Sequence, residues 1–100
     1  MSVVTDLAEK DIVTSILKYL KTVPYCFAWK EHGGMYGTSG IPDIIACIGG
    51  RFVAFEVKTA SGKLTKLQGI MIQRIKDAKG KAYKVISVEE VKKILENLED

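Results

Sequence analysis

Asp43 and Glu56 stand on either side of a Gly49-Gly50 pair, in two runs (residues 41–48 and 51–58) that are apolar at nearly every position. Two such runs joined by a glycine pair are a strong hairpin signal. With a two-residue turn, Ile48 faces Arg51, Ala46 faces Val53, Ile44 faces Phe55, and Asp43 falls directly opposite Glu56. Period-two alternation then puts Lys58 on the same sheet face as Glu56. Carboxylates facing each other across strands lie about 4.5–5.5 Å apart at Cβ and repel. In an apolar setting that repulsion is relieved by protonating one acid, by a basic neighbour or by a cation. Lys58 is placed to help. A hard divalent ion does more, and oxygen-only ligation favours Mg²⁺ or Mn²⁺ over zinc. The alternative is an edge hairpin whose acids point to solvent. The surroundings, Ile41, Pro42, Ile44, Ile45, Phe55 and Val57, are not those of a solvated edge.

The rest of the chain must hold this hairpin. Residues 7–21 repeat Leu7, Ile12, Val13, Ile16, Leu17 and Leu20 at helical spacing, with Asp6 placed to cap the start and Pro24 past the end. Residues 25–30 predict a strand in which Phe27 and Trp29 pack into the core. Residues 32–40 hold four of the nine glycines and form a loop. The hairpin strands, apolar throughout, are expected to be covered on both faces. Ser61-Gly62 turns the chain, and Thr65 opens a helix that Gly80 stops. Residues 82–86 form a short strand, and Ser87 caps a final helix carrying Val91, Ile94, Leu95 and Leu98. The order α-β-β-β-α-β-α predicts an α/β fold, a central mixed β-sheet flanked by α-helices.

One hundred residues make a single domain spanning 1–100, and 47% hydrophobic content is enough for a core. No apolar run approaches the roughly 18–20 residues that cross a bilayer, and the first residues lack the pattern of a secretory signal. A cytoplasmic protein without a membrane partner is expected. Cys26 and Cys47 are too few for a disulfide scaffold or a closed zinc site, and read as buried free thiols. The net charge of +3 is uneven: residues 51–84 carry nine Lys and Arg against Glu56 and Asp77. That basic middle is either a phosphate-backbone footprint or an ordinary solvated face. The glycine-rich loop lacks the Gly-Lys-Ser/Thr ending of a P-loop and precedes a strand, which excludes a nucleotide cradle of that kind. His32, the single histidine, has no metal-spaced partner beside it and reads as a surface residue.

Ile41-Pro42-Asp43 followed by Glu56-Val57-Lys58 resembles the PD-(D/E)xK nuclease signature. The wider frame is similar to the VRR-Nuc branch of that superfamily: Glu9 early in the first helix, Gly40-Ile41-Pro42-Asp43, Glu56-Val57-Lys58-Thr59, then Gly62-Lys63-Leu64-Thr65-Lys66-Leu67-Gln68. The resemblance implies a restriction-endonuclease-like fold and a nuclease that uses Mg²⁺ or Mn²⁺. Asp43 and Glu56 would be metal ligands, the Val57 carbonyl a further oxygen, and Lys58 the group that polarises the attacking water. It also brings Glu9 and Gln68 toward the site, Glu9 as a further metal ligand. Each has a rival role, because Asp6-x-x-Glu9 and Thr65-x-x-Gln68 both read as capping boxes.

The loop then fits a flap that touches DNA, with Lys30, Tyr36 and Ser39 as candidate backbone contacts. Lys63 and Lys66 either grip phosphates or are simply solvated. The resemblance extends to Holliday junction resolvases, implying a homodimer on branched DNA, and a nuclease this small suits a bacterium or its phage. Two competitors remain: a nucleic-acid-binding module that keeps the fold without turnover, and a nuclease acting on RNA.

Overall fold

A computed structural model of the chain describes residues 8–32 and 37–98. The elements, in order, are α1 (Glu9–Leu20), β1 (Cys26–Lys30), β2 (Ile44–Ile48), β3 (Arg51–Val57), α2 (Lys66–Asp77), β4 (Lys81–Val85) and α3 (Val88–Glu96). They form one sheet of order β1-β2-β3-β4. The first three strands run antiparallel, and β4 joins β3 in parallel. The predicted order and the mixed sheet are both observed.

The β2–β3 register is the predicted one, pairing Ile48 with Arg51 and Ile44 with Phe55. Gly49 and Gly50 have φ of +57° and +83°, the left-handed pair that a two-residue turn needs to match the twist of its strands. Alternation then sorts the side chains. Ile44, Ala46, Ile48, Val53, Phe55, Val57 and Val85 bury one face under Ile12, Val13, Ile16 and Leu20 of α1 and Val91 of α3. The other face is thinner: Ile45, Ala54 and Ala82 pack under Ile72 of α2.

That second face departs from expectation. It is covered where α2 lies against β4 and left open over β1 and the hairpin turn, so the strands are not covered on both faces throughout. Phe27 (69% exposed), Trp29 (41%) and Phe52 (46%) lie on the surface. The aromatic side chains of β1 therefore do not enter the core; Cys26 and Ala28, which alternate with them, pack against it. Phe27 and Trp29 contact each other instead, with ring centroids 5.4 Å apart. Cys47, paired with Phe27 and Phe52 across this open face, is exposed and not buried as expected. Both cysteines are free. Among the described residues no helix is long and apolar enough to cross a membrane.

Candidate active site

The site grows from the end of the hairpin away from its turn. Asp43 immediately precedes β2, and the register that pairs Ile44 with Phe55 carries Asp43 opposite Glu56. Three strand ends meet here. The Asp43 carbonyl accepts from the Glu31 amide at 2.7 Å, and its Oδ2 accepts from the Val57 amide at 2.8 Å. In an extended strand a residue's N–H and C=O point the same way, so the Val57 carbonyl also faces the β2 side.

Glu56 is 2% exposed. Its carboxyl is hydrogen-bonded to that of Asp43, and Gln68 Nε2 donates to its Oε2 at 3.3 Å. Burial lifts its pKa to about 8 from an ordinary 4.5, aided by the hydrogen bond to Asp43 and by the charges of Asp43 and Glu9. The Lys58 ammonium pulls the other way. Below about pH 8 the two acids therefore hold a proton between them, as facing carboxyls short of a counter-charge must. Lys58 is buried on the same face, and its amide extends the parallel ladder by donating to Val85 O at 3.0 Å.

The two helix-borne candidates differ. Gln68 does both of the things its position allows. Its Oε1 accepts from the Thr65 amide at 2.9 Å while Thr65 Oγ1 accepts from the Gln68 amide at 3.1 Å, a complete capping box. The same side chain's Nε2 remains to reach Glu56. Glu9 is the first residue of α1, and its N-cap is Ala8, which makes no side-chain cap bond. A box headed by Asp6 with Glu9 in its third helical position is therefore not how the helix begins; Asp6 itself lies outside the described residues. Glu9 is exposed, yet its charge reaches Glu56. The first turns of α1 and α2 thus address the same end of the sheet.

A solved structure titled "VRR_NUC domain" superimposes with a TM-score of 0.76, covering 91% of this chain and 97% of that one at 20% identity. A second, titled "VRR_NUC domain protein", gives 0.73 over 92% and 88% at 18% identity. The fold is that of these VRR_NUC structures. No family sequence model and no curated protein sequence matches the chain.

Around the VRR_NUC-like core the candidate DNA contacts gather at the acid end. Lys30 closes β1 beside Ile44, exposed. Lys66 is exposed as the first residue of α2, and Lys63 is exposed just before the helix's N-cap, Thr65. Ser39 is exposed in the loop before Asp43, and Tyr36 lies outside the described residues. The loop is pinned by Gly40, at φ +81°, where a Cβ would come within 2.7 Å of Leu67 Cγ. His32 is exposed, as expected. Lys84, which pairs with Glu56 from β4, escaped the sequence reading, because hairpin geometry says nothing about a strand that joins in parallel.

Among the described residues no group of three or more His, Cys, Asp or Glu side chains is arranged to hold a metal. The donor set is a two-carboxylate one. It is oxygen-only, with a backbone carbonyl beside it. Mg²⁺ suits such sites, since it is commonly held by one or two carboxylates together with waters and substrate phosphates.

Proposed function

We propose that this chain is an Mg²⁺- or Mn²⁺-dependent endonuclease that hydrolyses DNA phosphodiester bonds. The observation that carries this reading is the facing Asp43–Glu56 carboxyl pair, half-buried and buried respectively, with Lys58 buried on the same face and Gln68 fixing one of the acids. Asp43, Glu56 and the Val57 carbonyl would hold the ion, with Glu9 near enough to add charge. When bound, the ion supplies a water of lowered pKa and offsets negative charge on the phosphate. Lys58, on the same face, would orient the attacking water and stabilise the charge that develops on the phosphoryl oxygens. Gln68 keeps Glu56 in a single orientation, so the carboxylate is set before substrate arrives.

A domain of this size has little surface for reading bases in the major groove. Contacts from Lys30, Ser39, Lys63 and Lys66 would go to phosphates, and the substrate would be chosen by shape. Branched DNA such as a four-way junction fits, cut by a symmetric pair that brings two sites to two strands. The exposed Phe27 and Trp29 on β1 supply apolar surface for a second copy to cover.

The test is incubation of labelled four-way junction, flap, linear DNA and RNA duplexes with and without Mn²⁺. Metal-dependent cutting, strongest on the junction, is expected, and Glu56→Ala should reduce it by about a thousandfold or more while the protein stays folded. Sedimentation should give twice the 11.0 kDa chain mass. Cutting by Glu56→Ala at the parent rate would remove the assignment.

A further inference from the structure

The other end of β3 carries a second charged feature. A cleft of about 880 Å³ opens there, walled by the Gly49-Gly50 turn, by Arg51, by Lys76 and Lys79 at the end of α2, and by Lys81 at the start of β4. Four cations from three separate elements line one concavity, and no acid is among the described residues that line it. Lysines near a helix C-terminus have an ordinary explanation, since they complement its dipole. That accounts for Lys76. It does not account for Lys81, which opens a strand.

Lys79 is more telling. It follows the α2 C-cap, Ala78, and adopts φ +75°, the left-handed conformation for which this position favours glycine. Side chains other than Gly, Asn and Asp rarely adopt it, because Cβ crowds the backbone. Gly80 stands next in the chain, yet the strained place is occupied by an exposed lysine whose side chain lines the cleft. A strained residue held at a charged concavity points to what its side chain does there.

Charge indicates the class of partner, since a concavity lined by cations without an acid suits a polyanion. Five residues of β3 separate Arg51 from Glu56, which at about 3.3 Å each is roughly 17 Å. Along one strand of a duplex, phosphates advance about 3.4 Å per nucleotide on the axis. The cleft and the acid end are therefore far enough apart to touch different phosphates of one nucleic acid, not the same one. We infer that the Arg51–Lys76–Lys79–Lys81 cleft is a second anchor for the phosphodiester backbone of a nucleic acid, remote from the site of cutting. The inference rests on the nuclease reading for the identity of its polyanion.

Binding of a labelled 20-base-pair DNA duplex, followed by anisotropy in EDTA across a salt series, tests it without turnover. The variant K76Q/K79Q/K81Q should bind at least tenfold more weakly near 100 mM salt, with the log–log salt slope shallower by about 2–3. The control K21Q/K92Q/K93Q loses the same charge from α1 and α3 and should shift affinity less than threefold. K79G should weaken binding severalfold with its Tm at or above that of the parent, because glycine relieves the left-handed strain. Unchanged salt slope and affinity in the triple variant would overturn the anchor. So would tripolyphosphate binding that the triple variant abolishes while duplex binding is untouched, which would mark a small-anion site. A parent that binds duplex through the cleft but never cuts with Mn²⁺ sinks the nuclease reading and supports the anchor. A parent that cuts but binds independently of the cleft does the reverse.

Discussion

The two ends of β3 handle charge in opposite ways. At the Glu56 end, a buried acid and a half-buried one are crowded and hydrogen-bonded, and the repulsion is relieved by a shared proton and a buried lysine. At the Arg51 end, the lysines lining the cleft are exposed, and water screens them. The buried end is expensive to build and sensitive to a single proton or cation. The exposed end costs little and acts only collectively, when a polyanion replaces the counterions of several cations at once. On the proposed reading, one strand separates a site where chemistry depends on individual atoms from one where binding depends on summed charge.

The largest effect that sharpens this contrast is pH dependence, which the acid end should dominate. Glu56 titrates near 8 when folded, against 4.5 for an ordinary glutamate, so between those values the folded chain holds the extra proton. Stability falls wherever the folded state is the better proton binder as pH rises. The metal-free protein should therefore lose stability from below pH 5 to above pH 8, by at most roughly 5 kcal/mol if the whole shift is expressed. Glu56→Gln should flatten that slope in denaturant titrations, and K76Q/K79Q/K81Q should leave it in place. A parent as stable at pH 9 as at pH 5 would show that the acids are not coupled as described. On the proposed reading Mn²⁺ would have to displace the shared proton, so its stabilisation should be greater at pH 8.5 than at pH 6. At a thousandfold excess over its dissociation constant it would be worth about 4 kcal/mol. Scanning calorimetry with and without Mn²⁺ at the two pH values checks this, and an equal gain at both would break the link between proton and metal.

How far each end was legible follows from the kind of information it needs. Hairpin pairing is local: Gly49-Gly50 fixes the turn, the turn fixes the register, and the register alone sets Asp43 across from Glu56. The two helix-borne residues were half legible. A capping box is visible in Thr65 and Gln68, but whether the same amide also reaches an acid on β3 depends on how α2 lies over the sheet, which no local pattern states. The basic cleft was visible only as an excess of positive charge over residues 51–84. Its lysines come from the end of a helix and the start of a parallel strand, brought beside a hairpin turn by a crossover. Phe27 and Trp29 were misplaced for a related reason: an aromatic strand reads as core until one sees that α2 covers one side of the face and leaves β1 bare.

The smallest effect is the most discriminating, because it separates two jobs within one side chain. Thr65→Ala removes the hydroxyl that accepts from the Gln68 amide and should cost about 1 kcal/mol, the usual worth of a cap. Gln68→Ala removes the reciprocal half of the box together with the 3.3 Å contact to Glu56. If capping were its whole role, the two variants would match in both stability and cleavage. If Gln68 positions the acid, they should lose similar stability while only Gln68→Ala lowers kcat, by about tenfold, with KM little changed. The pH profile adds a readout that a cap cannot move. An amide that donates to a carboxyl oxygen favours the ionised form. Its loss should push Glu56 higher still and shift the alkaline rise of activity upward, whereas Thr65→Ala leaves the profile where it was.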